Sequence, residues 1–283
     1  MNKITPNFNL TTQEPPAFNQ TIGTNPLIIL GAHNGWLTPK ILDDTSGKPL
    51  GLERNWFTPN SPHKRHEICD WGMDALFANI SPPLSEAGCT ILTANYSRLV
   101  CDFNRTPDFW LTTHADELKT PIPGNTNSTK KNKNWRTKTF YNPWFNAVKS
   151  AIESAKQRHG YAIVLDLHSF TPTWHGEERK VDVGSIRLSK TKLSETIRHG
   201  LKVILDKNGI IFEPDAPYDL RNSPLLKEKF AAKIISKHFK AAYYGLEFKN
   251  SLLQKEDSCK IISKALMNTT QQLLNHPNLQ SLT

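Results

Sequence analysis

Apolar residues in this chain gather into short unbroken runs. The run PLIILGA at 26–32 ends directly in His33, and YAIVLDL at 161–167 ends in His168. Runs of that length without polar alternation predict strands buried on both faces. Shorter apolar runs at 90–94, 99–103, 181–187, 210–213 and 241–248 predict further strands. Between them, apolar positions recur at helical spacing over 67–80, 143–159, 190–207, 224–238 and 256–274. Ser81-Pro82-Pro83 is expected to stop the first of these helices, and Gly160 closes the second. Strands alternating with helices predict an α/β domain, an open sheet covered on both faces. Residues 1–25 are polar, with Pro15-Pro16, and predict a loose arm ahead of one domain spanning 26–283. Two stretches read as long loops, 37–64 and about 106–138, the second expected to be mobile.

Composition narrows this picture. Of 283 residues, 37% are apolar, enough to fill a sizeable core. The net charge of +9 is partly local, with Lys130, Lys131, Lys133, Arg136 and Lys138 in one stretch. No nucleic-acid-binding motif accompanies it, so it reads as a solvated basic loop and not as a nucleic-acid site. Cys69, Cys89, Cys101 and Cys259 show neither C-x-x-C nor zinc-finger spacing. They read as buried free thiols, which points to a reducing, cytoplasmic setting. The first residues lack the apolar core of a signal peptide, and no run approaches the roughly 18–20 residues of a membrane span.

The candidate chemistry sits where strands end, since open α/β sheets bind ligands beyond the carboxyl ends of their strands. His33 and His168 lie 135 residues apart, yet each follows a strand. One strand-end histidine is more often simply hydrogen-bonded. Two at equivalent places point to a metal, because neutral imidazole is the commonest zinc ligand. A third ligand should be a carboxylate. Asp70 and Asp74 are four residues apart and would share one face of the predicted helix, and either could serve. Asp166, two before His168, would point to the same side of its strand and could orient that ring. Glu247, late in AAYYGLEFKN, is costly to bury without a job, and a metal hydrolase needs a base to take a proton from water. Arg98, Asn104 and Arg105 flank a predicted strand in NYSRLVCDFNR, and Arg is suited to bidentate carboxylate recognition.

Taken together, RHEICDWG at 65–72, NYSRLVCDFNR at 95–105, TPIPGN at 120–125, DLHSFTP at 166–172 and GLEFKNSL at 245–252 resemble the N-formylglutamate amidohydrolase family, in its order. That family is in turn similar to the zinc carboxypeptidases. The resemblance implies a three-layer open mixed sheet with helices on both faces and a Zn²⁺ at its C-terminal edge. It implies His33, His168 and Asp70 as ligands, Asp70 being preferred to Asp74; Asp166 and Asp74 are then expected just behind the ligands. It also implies Glu247 as general base, Asn104 and Arg105 as a carboxylate clamp, and Arg98 on the carbonyl oxygen or a second carboxylate. The implied substrate is a small acidic N-acylated amino acid, N-formyl-L-glutamate first. The rivals are a carboxypeptidase-like or other N-acyl-amino-acid hydrolase, and a non-catalytic relative that binds a ligand. Three departures stand out. His33 is followed by Asn34 where the family has a small residue. Trp36 stands where carboxypeptidases carry a ligand Glu. Phe145 in YNPWFNA stands where the family tends to have His.

Overall fold

The two unbroken apolar runs become neighbouring central strands of a seven-stranded sheet, because only there are both faces of a strand covered. The computed structural model describes residues 15–37, 69–112, 114–115, 120–121, 123–126, 128–188, 191–219, 222–223, 228–277 and 279–282. The strands of the seven-stranded sheet are β1 (Phe18–Thr21), β2 (Leu27–Gly31), β3 (Thr90–Ala94), β4 (Ile163–Phe170), β5 (Val183–Ile186), β6 (Phe212–Pro214) and β7 (Ala242–Lys249). Their order across the sheet is β1-β3-β2-β4-β7-β5-β6. Strands β3, β2, β4 and β7 run parallel. Strand β1 is antiparallel to β3, and β5 is antiparallel to β7, so the sheet is open and mixed.

Alternate residues divide the core in two. Leu27, Ile29, Ile163, Leu165, Leu167, Leu246 and Phe248 pack against helices α1 (Met73–Glu86), α4 (Lys192–Lys207) and α5 (Glu256–Leu274). Ile28, Leu30, Leu92 and Val164 pack on the other face against α3 (Asn142–His159), centred on Trp144, Val148 and Ile152. Burying one such aliphatic side chain contributes about 1.5–3 kcal/mol. These three layers are the architecture that the alternating elements predicted.

Several elements differ from the sequence expectation. Residues 18–21 of the expected loose arm form the edge strand β1, tied to β3 through Asn19 Nδ2 donating to Asn95 Oδ1 at 2.7 Å. Its polar composition reflects an exposed edge strand: Asn19, Gln20 and Thr21 are exposed, and Phe18 alone packs on the core, against Trp144. Residues 1–14, 38–64 and 65–68 lie outside the described residues, and with them nearly all of the predicted 37–64 loop. Helix α1 begins at Met73 rather than 67 and runs through Pro82 and Pro83 to Glu86. The two prolines give up two hydrogen bonds to the preceding turn, but buried Ile80 and Leu84 hold the helix on both sides of them. Residues 99–103 form no strand. The chain turns there, with Val100 N and Cys101 N both donating to Ser97 O, and this coil buries Leu99, Val100 and Phe103 without a sheet partner. The expected basic loop contains the helix α2 (Lys130–Arg136), whose N-terminus is capped by Thr129 and which continues through a π-helical turn (Thr137–Tyr141) into α3. Arg136 is buried there, donating to Asn125 Oδ1 at 2.7 Å and Val100 O at 3.3 Å. Of the helix predicted over 224–238, residues 224–227 lie outside the described residues, and the rest is a short helix, Ala231–Lys233, running into a π-helical turn, Ile234–His238. No helix among the described residues is long and apolar enough to cross a membrane.

Candidate metal centre and active site

The site grows out of the two central strands. In β4, Leu165 and Leu167 point into one core, so the intervening Asp166 and His168 point to the other side. Strand β7 runs parallel beside β4 with Glu247 opposite His168 and Gly245 opposite Asp166. His33 follows the end of β2, which pairs with β4 on its other side. The parallel register therefore carries two histidines and two carboxylates to one edge of the sheet.

Asp70 reaches the same place by a different route. Its N–H donates to His33 O at 2.9 Å, and its Oδ2 accepts from Ser169 N at 3.0 Å. These bonds tie the turn before α1 to the ends of β2 and β4. Gly72, at φ 87°, then swings the chain into the helix; a Cβ there would lie 2.6 Å from Leu253 Cβ. This turn also separates the two candidate aspartates. Asp70 precedes the helix, so the i, i+4 relation to Asp74 does not apply. Asp74 is exposed on the first turn of α1 and acts electrostatically on Cys259 of α5. It belongs neither to the ligand set nor to its surroundings.

The donor atoms converge. His33, Asp70 and His168 are all buried, and each offers one ligand atom within 4.8 Å of the others. His168 Nδ1 lies 2.8 Å from Asp70 Oδ2, and His33 Nδ1 lies 3.4 Å from Asp70 Oδ1. The opposite nitrogen of each ring meets another carboxylate. His33 Nε2 is 2.6 Å from Asp102 Oδ1, and His168 Nε2 is 3.2 Å from Asp166 Oδ2. Asp166 Oδ2 also accepts from Tyr243 OH at 3.0 Å. Two histidines and one carboxylate, each histidine braced from behind by an acid, form a donor set that suits a divalent metal of the zinc type.

Burial and neighbouring charge shift several of these groups. Burial alone would raise the Asp70 carboxyl, but His33 and His168 outweigh it and hold it well below the usual range. Asp102 is held low likewise: burial opposes ionisation, and His33, Arg105 and Arg98 win. Burial pulls the His168 ring down, but Asp166 and Asp70 push it far above an ordinary histidine. Glu247, 4% exposed, is pushed up to about 8: burial dominates, His168 and Arg98 oppose it, and Asp70 and Asp166 add to it. A carboxyl poised near neutrality beside a metal-ligand cluster is what proton transfer requires.

Arg98 and Arg105 are partly exposed beside the cluster, and Asn104 is buried between them and Asp102. Arg98 Nη1 is 3.5 Å from Asp70 Oδ1 and its Nη2 is 3.8 Å from Asp102 Oδ2, so it spans both acids. Arg105 Nε is 3.9 Å from Asp102 Oδ2, and its guanidinium stacks 4.1 Å from the Phe230 ring. Asn104 is buried; its N–H donates to Asp102 Oδ1 at 2.9 Å, and its own Oδ1 has no hydrogen-bond partner among the described residues. Phe145 is buried against Tyr141, ring centroids 4.5 Å apart, and Tyr141 OH donates to Arg105 O at 2.9 Å.

Asp102 was missed in the sequence. It joins His33, Arg98, Arg105 and the Asn104 N–H, and so links the His33–Asp70–His168 cluster to Asn104 and Arg105. Its signal was an acid in LVCDF, where a charge between apolar residues is costly without partners. Tyr218 and Arg179, described below, carried no such signal.

A model of the N-formylglutamate amidohydrolase family matches residues 25–247. Among solved structures, a gene product of Agrobacterium tumefaciens superposes with a TM-score of 0.72 at 21% identity, covering 93% of this chain and 97% of its own. An N-formylglutamate amidohydrolase from Ralstonia eutropha superposes at 0.62 with 16% identity, covering 93% and 98%. At those identities the two establish a shared fold. No curated protein matches the sequence. The family match spans most of the chain and takes in every residue of the cluster, from His33 to Glu247, and by it this chain belongs to the N-formylglutamate amidohydrolase family.

Proposed function

We propose that this amide hydrolase is zinc-dependent and cleaves an N-acylated acidic amino acid, N-formyl-L-glutamate first, to formate and L-glutamate. The observation that carries this reading is the buried His33–Asp70–His168 cluster with Glu247 set opposite His168 in the next strand. The cluster fits zinc in donor type, in spacing and in the acids behind both rings, so these three side chains would hold it. When bound, zinc supplies a Lewis acid to the scissile carbonyl.

The rest of the chemistry belongs to the chain. A dication beside Glu247 favours its ionised form, which counteracts the burial that raises it. Glu247 takes a proton from the attacking water and returns it to the nitrogen of the leaving amine as the amide C–N bond breaks. Arg98 offers N–H groups to the negative charge developing on the carbonyl oxygen. Arg105, with Asn104, holds the α-carboxylate of the amino acid and so fixes the amide against the cluster. The four cysteines are buried and free, which supports a reducing, cytoplasmic setting.

The test is formate release by zinc-loaded protein from N-formyl-L-glutamate, beside N-acetyl-L-glutamate and short peptides. Zinc per chain is measured in parallel for the wild type and His168→Ala. Formate release with one zinc per chain, and loss of zinc in His168→Ala, is the expected result. A His168→Ala protein that keeps a full equivalent of zinc removes the metal site. Faster cleavage of the acetyl or peptide substrates transfers the reading to another acyl group, a shift to which Phe145 in place of the family's His would contribute.

A further inference from the structure

Arg98, Arg105 and Arg179 differ in what neutralises them. Arg98 lies near Asp70 and Asp102, and Arg105 lies near Asp102. Arg179 has no carboxylate within ion-pair distance among the described residues. It is nevertheless held in place. Its guanidinium carbon lies 5.3 Å from the centre of the Phe170 ring, 5.1 Å from Trp174 and 5.3 Å from Tyr218, and its Nη1 donates to Tyr218 OH at 3.4 Å. A guanidinium held on aromatic rings keeps most of its N–H groups free for an anion.

The surrounding elements aim this cage at the site. Phe170 is the last residue of β4, two beyond His168. Tyr218 lies in the segment that follows β6, and both Glu247 and Arg98 act electrostatically on its hydroxyl. That segment is locked in place from two sides. Arg187 grips Asp215 through Nε at 3.0 Å and Nη2 at 2.5 Å. Gly184, which pairs with Glu247 across β5 and β7, lets the backbone of Ala216 press on it: a Cβ at 184 would lie 1.7 Å from Ala216 O.

We propose that Arg179, positioned by Tyr218, Phe170 and Trp174, binds a second carboxylate on the substrate and makes the enzyme select N-acylated dicarboxylic amino acids over neutral ones. This rests on the reading that the substrate is an N-acyl amino acid whose α-carboxylate sits at Arg105. Charge complementarity supports the division: one paired guanidinium takes the carboxylate common to all amino acids, and the unpaired one takes the side chain.

The experiment compares kcat/KM for N-formyl-L-glutamate with that for N-formyl-L-glutamine, its neutral isostere, in wild type, Arg179→Met and Arg179→Lys. The ratio is expected to favour glutamate in the wild type and to fall by about 10–100-fold in Arg179→Met, the usual weight of a charge-assisted hydrogen bond. Lys is expected to restore only part of it, because it cannot form the fork. An unchanged ratio, or equal losses on both substrates, overturns the proposal. Calorimetric binding of glutarate and of its monoamide to the same zinc-loaded proteins separates the two readings. If no N-formyl substrate is cleaved but glutarate is preferred and that preference vanishes in Arg179→Met, the N-formyl reading falls and the second carboxylate site stands. If the wild type binds glutarate and monoamide equally, or Arg179→Met keeps the preference, the site is refuted whatever the activity.

Discussion

Glu247→Gln removes an ionisable carboxyl from a place where burial opposes its charge. The carboxyl is raised from an ordinary 4.5 to about 8, mainly by burial. At ~1.4 kcal/mol per pH decade, ionising it in the folded, metal-free protein costs about 5 kcal/mol as an upper bound. With Glu247 4% exposed, solvent screening takes little off that figure. The folded state keeps the Glu247 proton up to about pH 8 while the unfolded chain loses it near 4.5. The folded state therefore binds more protons across that window, and this contribution to stability falls as pH rises through it. A glutamine never ionises. Metal-free Glu247→Gln should match the wild type near pH 4 and exceed it at pH 8 or above by a few kcal/mol. For a chain of this size that raises Tm by roughly 5–10 °C. With zinc bound, the dication offsets the cost of the wild-type charge, so the gain in Tm should shrink. Zinc content should stay near one per chain, while kcat falls by about 10²–10⁴. Tm at two pH values, zinc content and kcat on one preparation decide the matter. A Gln variant that melts lower at pH 8 while its folded fraction turns over at the wild-type rate would refute the reasoning and return Glu247 to a structural role.

Other outcomes follow from the same geometry. Asp102→Asn removes the charge 2.6 Å from His33 Nε2, so zinc affinity measured by chelator competition should weaken about 10–100-fold; unchanged affinity means Asp102 does not support that ligand. Arg105→Ala should raise KM steeply for every N-acyl amino acid and Arg105→Lys should rescue little, and equal activity on a substrate and its α-carboxamide rules the clamp out. Gly184→Ala forces Ala216 away from β5, so KM should rise several-fold with zinc content intact, and loss of zinc would show that the strand itself had been displaced.

The layers and the central residues were legible because they rest on local patterns. Continuous apolar runs do mean doubly covered strands, and a polar residue at the end of such a run stands out. That is how His33, His168, Asp166 and Glu247 could be singled out before any contact was known. The alternation within β4 even placed Asp166 and His168 on one side. Legibility failed where position depends on a turn. Asp70 looked helical because Gly72 was not read as a left-handed hinge, and the same error put Asp74 beside it. Asp102 was hidden in a run that resembled a strand and is a buried turn. Arg179 and Tyr218 come together across 39 residues, from two segments whose only shared feature is their tertiary neighbour. No periodicity encodes that meeting.

The charge balance of the site gives an independent argument for a dication. Four buried acids, Asp70, Asp102, Asp166 and Glu247, crowd around two buried histidines. Among the described residues, Arg98 and Arg105 are the arginines within ion-pair distance of Asp70 or Asp102. Buried charge is tolerated when paired and is otherwise very costly. Without a metal the chain must answer in other ways, and it does: His168 is driven to hold a proton and Glu247 is driven to keep one. Both responses add positive charge or remove negative charge at the same spot, between the ligand nitrogens and the base. A divalent cation there does the same job at once. It would let the His168 ring be a neutral donor and Glu247 be ionised. The directions of both shifts agree with a cation placed between the ligand nitrogens and the base.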